Sequence, residues 1–115
     1  MSFDKFAARK LSDHFSVYGQ ILPQDMQAIA SAGFRSIICN RPNSEEASQP
    51  TYAEIEAAAK IAGLQTTFLP VSPSGISAGQ AEKFIELLKQ LPHPVLAFCR
   101  SGARSAGLWQ AAQNA

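Results

Sequence analysis

The residues with the clearest chemical potential lie in one run, Val95 to Ser105, which reads VLAFCRSGARS. A short apolar stretch leads into Cys99. A tight loop follows, Arg100-Ser101-Gly102-Ala103, then Arg104, Ser105 and a helical pattern. In open α/β sheets, sites form beyond the carboxyl ends of strands, which is where Cys99 falls. Successive backbone N–H groups in such a loop converge on one point and make an anion nest. Gly102 can take the positive φ that a tight nest demands. The helix after it adds its positive N-terminal end. Arg104 offers a planar two-pronged donor for an oxyanion, and Arg100 a second charge. The same surroundings lower a thiol from its ordinary value near 8.5 to roughly 3.5–7.5. Cys99 is therefore expected to be a thiolate nucleophile beside an anion pocket. The bland alternative is a buried thiol, since free Cys is among the most buried residue types. The strand–Cys–loop–Arg–Ser–helix context argues against it.

The elements that must position this run are legible as an alternation of strands and helices. Residues 1–14 are weakly patterned and read as a lead-in with a helical turn. Phe15 to Ile21 reads as a first strand. Pro23 and Asp25 suit a helix start, with Leu22, Met26, Ile29 and Ala30 on one face and Gly33 as the stop. Arg35 to Cys39 is a buried strand, and residues 40–50 form a polar loop. Thr51 caps the next helix, with Glu54 at capping-box spacing; Ile55, Ala58, Ala59 and Ala62 form its apolar face, and Gly63 ends it. Thr66 to Val71 is the following strand, and residues 72–79 are a turn-rich loop. A third helix points Ala81, Phe84, Ile85, Leu88 and Leu91 inward and Glu82, Lys83, Glu86 and Lys89 outward. Pro92 and Pro94 bracket His93 and stop it. Val95 to Phe98 is the last strand, and a helix carrying Trp109 follows the Cys99 loop. Such alternation predicts an α/β domain with a mostly parallel central sheet of four to five strands flanked by helices.

Size and composition bound the possibilities. At 115 residues the chain is expected to form one domain, residues 1–115. Lys and Arg number 10 against 9 Asp and Glu, a formal net charge of +1, so no broad basic field exists to hold nucleic acid or an anionic membrane. Two cysteines, Cys39 and Cys99, are too few for a disulfide scaffold, and no pair or His cluster predicts a metal. No cofactor is expected. The charged N-terminus lacks an apolar core of the signal-peptide kind, and no run reaches the roughly 20 apolar residues of a membrane span. A cytoplasmic location follows. The helical pattern is still running at Ala115, which leaves the natural chain open to extension.

The motif CRSGARS resembles two families of cysteine enzymes. One is the tyrosine and dual-specificity phosphatases, with the loop HC-x5-R-[ST]; the other is the rhodanese sulfurtransferases, with C-R-S-G-x-R-S. Four residues separate Cys99 from Arg104, the rhodanese count and one short of the phosphatase loop, and Phe98 stands where phosphatases carry His. The rest of the chain resembles the phosphatases. Residues Gln20 to Glu46 are similar to the opening of dual-specificity enzymes, and only 16 residues follow Cys99. Overall the chain resembles the bacterial DUF442 family, the phosphatase-like domain of beta-lactamase-hydrolase-like proteins. The resemblance implies a dual-specificity-phosphatase-like fold, with either phosphatase or sulfurtransferase activity, and possible fusion to or partnership with persulfide-handling enzymes.

A further residue test bears on the chemistry. Phosphatases of this type carry an Asp general acid on the loop after the strand equivalent to Thr67–Val71. Here residues 72–79 (SPSGISAG) contain no Asp or Glu. Sulfur transfer needs no such acid, since sulfite and thiolates leave as anions. The sequence therefore ranks a sulfurtransferase working through a Cys99 persulfide first, with thiosulfate or a persulfide as donor. A phosphatase working through a Cys99 phosphoenzyme on a phosphate ester is the alternative. A non-enzymatic anion-binding redox switch is the third reading. Arg104 and Ser105 join Cys99 as expected catalytic residues, Ser105 as a donor to the thiolate or as a first-turn serine satisfying backbone. Arg100, Ser101, Gly102 and Ala103 form the anion loop. Arg41 and Glu45 follow a strand end and could orient the site. Cys39 reads as core packing, with pairing to Cys99 open. His14 and His93 read as structural.

Overall fold

The computed structural model describes residues 8–114. Five strands form one sheet: β1 (Arg9–Ser12), β2 (Phe15–Tyr18), β3 (Ser36–Cys39), β4 (Gln65–Phe68) and β5 (Val95–Phe98). Their order is β1-β2-β5-β3-β4. All neighbours are parallel except β1, which pairs antiparallel with β2. The helices are α1 (Met26–Ser31), preceded by a 3-10 turn at Pro23–Asp25, α2 (Tyr52–Ile61), α3 (Ala78–Gln90) and α4 (Ala103–Gln113). The expected α/β architecture with a mostly parallel five-stranded sheet is what the chain adopts.

Every residue of β3 and β5 is buried, as befits strands covered on both faces. Alternation along each strand divides their side chains between two layers. Ile37, Cys39, Leu96 and Phe98 pack with Met26 and Ile29 of α1 and Ile55 and Ala59 of α2. Phe15, Val17, Ile38, Val95 and Ala97 pack with Phe84 and Leu87 of α3 and Leu108 of α4. The register then fixes the functional edge. Tyr18, Phe98, Cys39 and Phe68 lie side by side across the sheet, so Gly19, Cys99, Asn40 and Leu69 leave it together at the carboxyl edge.

Several expectations are realised in detail. Thr51 accepts from the Glu54 amide while Glu54 accepts from the Thr51 amide. Ser77 and Gln80 form a second such box at the start of α3. His14 and His93 stack on each other at 5.1 Å, away from the carboxyl edge.

Other expectations are corrected. The lead-in over residues 1–14 is not a helical turn where it is described: residues 9–12 are an edge strand, and residues 1–7 lie outside the described part. An open edge tolerates charged residues such as Arg9 and Lys10, which hides it from a hydrophobic pattern. The strand read as Phe15 to Ile21 ends at Tyr18, and that read as Thr66 to Val71 runs from Gln65 to Phe68. Beyond it, Leu69 and Val71 donate to the carbonyls of Cys39 and Asn40 across Pro70, which has no N–H to give. Leu22 is 39% exposed rather than inward, because the chain turns through Pro23–Asp25 before α1 begins. On α3 the buried residues are Ala81, Phe84 and Leu87, the last not among those expected; Leu88 and Leu91 pack half-buried against the same core, whereas Ile85 is not among its members.

Candidate active site

The loop after β5 is clamped by the end of β2. The Gln20 amide donates to the Arg100 carbonyl at 3.2 Å, and the Cys99 amide faces the Tyr18 carbonyl at 3.4 Å. A Cβ on Gly19 would stand 3.1 Å from the Arg100 carbonyl oxygen, so only glycine lets the two segments approach this closely. Gly102 has φ +94°, which disfavours any side chain there, and a Cβ would stand in contact with the Tyr18 backbone at 3.4 Å. It is the residue at which the loop turns left-handed before α4 starts at Ala103.

This turn wraps backbone donors around one sulfur. The Gly102 amide donates to Cys99 Sγ at 3.1 Å. Burial pushes the Cys99 thiol up, but the backbone N–H groups of Ser105, Ser101, Arg104 and Gly102 outweigh it, and the thiol is held below its ordinary value. Cys99 is 1% exposed. Cys39, on the next strand, has the opposite fate: burial pushes its thiol up to about 12, and it donates to the Arg41 carbonyl at 3.4 Å. Both thiols are free, so Cys39 serves as core packing here.

Arg104 is aimed by three of its donors. Its Nη1 donates to Glu45 Oε2 and to the Val71 carbonyl, both at 2.8 Å, and its Nη2 donates to Glu45 Oε1 at 2.8 Å. A guanidinium has five N–H groups, so Nε–H and one Nη2–H are left over as a parallel fork. Cys99 is among the groups this side chain reaches. Glu45 is in turn gripped by Arg41 Nε at 2.9 Å. Arg41, 2% exposed, completes its set on Gln20 Oε1 at 2.9 Å and Glu46 Oε1 at 2.6 Å. Arg41 and Glu45 are thus brought to the site, with Glu45 directly on Arg104.

An open cleft of about 470 Å³ is lined by Arg41, Glu45, Glu46, Pro73, Arg100 and Arg104. Glu46 also lies 3.7 Å from Arg100 Nε. Both cleft carboxylates are therefore committed to arginines. The bond to Arg104 is the main reason Glu45 sits at about 2, and Arg41 likewise lowers Glu46. Neither can carry a proton near neutral pH for a leaving group. Loop 72–79 contributes Pro73 to the cleft and no acid. Glu82 lies on α3 beside Ile76 and Ala111, away from this cleft.

The Glu45 shift has a stability consequence. Its carboxyl falls from an ordinary 4.5 to about 2 on folding. A depressed carboxyl stabilises the fold fully above its unfolded value, and this contribution is lost as pH falls through the folded value. Unfolding free energy should therefore decline from pH 4.5 toward pH 2, and Glu45→Gln should flatten that limb. Denaturant midpoints across this range check it; an acid limb unchanged in Glu45→Gln would assign it to other carboxylates.

Two expected site residues are placed differently. The Ser105 hydroxyl is not on the sulfur: it donates to Asn40 Oδ1 at 2.8 Å, and only its backbone N–H serves Cys99. Ala103 opens α4 with its amide on Ser101 Oγ. Asn40, Gln20 and Glu46 were not foreseen. Asn40 stands immediately after a buried strand at the carboxyl edge, and that position was the available signal. Among the described residues no group of three His, Cys, Asp or Glu could hold a metal ion, and no helix is long and apolar enough to cross a membrane.

Comparison with known proteins gives this geometry a context. The chain is 31% identical over 102 residues to a beta-lactamase hydrolase-like protein of Agrobacterium fabrum, covering 89% of this chain and 24% of that protein. It is 32% identical over 99 residues to the Xylella fastidiosa protein of the same description, covering 86% and 23%. The chain thus spans about a quarter of the curated relatives it matches. A Neisseria meningitidis protein crystallised as a candidate phosphatase superposes with TM-score 0.83 at 37% identity, over 95% of this chain and 74% of that one. A Shewanella putrefaciens DUF442 protein gives 0.79 at 18%, over 93% and 67%. The catalytic core of a PP-IP phosphatase from S. cerevisiae gives 0.68 at 15%, over 88% and 60%, and at that identity shows the fold alone. Residues 7–115 match the family model described as beta-lactamase hydrolase-like protein, phosphatase-like domain, and the chain belongs to that family.

Proposed function

We propose that this domain is a cysteine-based, phosphatase-type hydrolase restricted to substrates whose leaving group departs as an anion without being protonated. The observation that carries the reading is the Cys99 sulfur set in a ring of backbone donors beside an Arg104 fork held fixed by Glu45. Family membership and the phosphatase-like fold support phosphoryl transfer over the sulfur transfer that the sequence ranks first. The restriction comes from the cleft, where neither carboxylate is able to donate a proton.

In this mechanism the Cys99 thiolate attacks phosphorus, a P–S bond forms, and the P–O bond to the leaving group breaks. The departing oxygen keeps the electron pair, as a phenolate or a phosphate does readily and an alkoxide does not. The loop amides and Arg104 Nε–H and Nη2–H hold the non-bridging oxygens as their charge builds. Water then attacks the phosphocysteine, releasing inorganic phosphate and the thiolate, with the proton passing to solvent. Cys99 and Arg104 are the catalytic residues of this proposal, with the amides of Ser101, Gly102, Arg104 and Ser105 as the anion cradle.

The four-residue loop favours a second reading, sulfur transfer. There the thiolate attacks the outer sulfur of thiosulfate, sulfite leaves with the S–S electron pair, and a Cys99 persulfide passes its sulfur to cyanide or a thiol. A persulfide-handling partner enzyme and a cytoplasmic setting belong with this reading. It too needs no general acid.

A leaving-group series tests the first reading. Rates for aryl phosphates should rise steeply as the phenol becomes more acidic, with alkyl phosphates at least about 100-fold slower, the scale of a missing proton donor. An aryl-to-alkyl ratio near one would reveal a general acid and overturn the restriction. Intact mass after incubation with thiosulfate decides between the readings. A one-sulfur adduct that cyanide removes, together with no turnover of activated aryl phosphates, would replace phosphoryl transfer by sulfur transfer.

A further inference from the structure

We infer that Asn40 is a positioning residue of this site, acting through Ser105 as a strut that holds the donor ring around Cys99. The inference rests on Cys99 being the nucleophile of the proposed reaction, whichever group it transfers.

Asn40 is fully buried and uses four polar groups on three different segments. Its amide donates to the Phe98 carbonyl at 2.8 Å, fixing the residue immediately before Cys99. Its own carbonyl accepts from Val71 at 2.9 Å, and the Val71 carbonyl is the one that receives Arg104 Nη1. Its side-chain Nδ2 donates to the Leu69 carbonyl at 2.8 Å. Its side-chain Oδ1 accepts the Ser105 hydroxyl at 2.8 Å, pinning the first turn of α4 where the Ser105 and Arg104 amides face the sulfur. One residue thus ties the strand before the nucleophile, the turn after it and the support of the arginine. The Ser105 hydroxyl is spent on this strut. A hydroxyl with a 2.8 Å partner at Asn40 has no second proton for the thiolate.

The test is the pH dependence of Cys99 alkylation by iodoacetamide in the full chain, read by peptide mass, with Cys39 as the internal control. Asn40→Ala and Ser105→Ala should each raise the Cys99 midpoint by about half a pH unit or more, roughly three-fold in thiolate fraction at a pH below it. The double variant should match Asn40→Ala alone, because the only side-chain bond that Ser105→Ala breaks, the one to Asn40, is already lost in Asn40→Ala together with the Nδ2 bond to Leu69. Ser105→Thr, which keeps the hydroxyl, should restore the wild-type midpoint. Asn40→Ser keeps a polar group at this buried position but is one bond too short to hold the Ser105 hydroxyl, and it takes the role of the alanine variant if that one does not fold. An equal Ser105→Ala shift in both backgrounds would show that the hydroxyl acts on the sulfur by itself and overturn the strut. So would folded variants with unchanged midpoints. A wild-type Cys99 midpoint at or above that of an ordinary thiol would instead overturn the nucleophile reading, and the strut's role with it.

Discussion

Cys99→Ser is expected to abolish turnover of activated aryl phosphates, by about 10⁴-fold or more, the scale for removing a nucleophile from an otherwise intact site. The reason lies in the donor ring. Backbone N–H groups from residues 101, 102, 104 and 105 offset the burial of a thiol and hold it below its ordinary value. The same groups cannot bring a serine hydroxyl, far less acidic to begin with, near ionisation at neutral pH. Anion binding should move the other way. A thiolate and a bound oxyanion repel each other at contact distance, while a neutral hydroxyl in the same ring can donate to the anion. Inorganic phosphate should therefore bind Cys99→Ser several-fold tighter than wild type at neutral pH, with the difference shrinking as the wild-type thiol is protonated. Isothermal titration and initial rates check the two halves. Turnover by Cys99→Ser within ten-fold of wild type would remove Cys99 from the chemistry. Phosphate binding lost in that variant would mean that the ring is organised by the sulfur itself.

What the sequence disclosed about this site follows the range of the interactions involved. Cys99, Gly102 and Arg104 are contiguous, and their roles come from a strand end, a left-handed turn and a helix start, all local features. The Thr51–Glu54 box is local in the same way. Arg41 and Glu45 were half legible: a strand end marks the region, but which charges meet depends on distant chain. Arg104 and Glu45 are 59 positions apart. Ser105 shows the limit most clearly. Local geometry offers its hydroxyl the neighbouring thiolate or a nearby backbone group. The partner it takes, Asn40, lies 65 positions away and is brought there by the β3–β5 register. The edge strand β1 was missed for another reason, since a strand with Arg9 and Lys10 exposed and only Leu11 packed on the core shows no clear alternation. The ranking of sulfur over phosphorus rested on one residue of loop length and one absent acid. In the structure the two carboxylates that line the cleft, Glu45 and Glu46, are paired with arginines, and the family places the scaffold with the phosphatases.

Arg104→Lys should lower kcat/KM by about 10²–10³-fold, the scale for losing oriented oxyanion donors, although the positive charge is kept. Lysine carries a compact charge with three rotatable donors, whereas the guanidinium is a rigid plane whose edges point in fixed directions. Here one edge is already spoken for. Glu45 and the Val71 carbonyl take three N–H groups, and that contact sets the angle at which Nε–H and the remaining Nη2–H meet an anion above Cys99. A lysine ammonium at this position would settle on Glu45 and leave the fork edge empty. The loss should fall mainly on kcat, because the fork is tightest on charge that develops during transfer. Ground-state binding should change less, since Arg100 and the loop amides remain. Wild-type-like helical content together with a retained acid limb would show that the fold and the Glu45 pairing persist. A loss below ten-fold would mean that charge alone suffices and that Glu45 fixes stability rather than aim. A 100-fold loss with KM nearly unchanged would establish the direction of the fork as the quantity that the Glu45–Arg41 pair maintains.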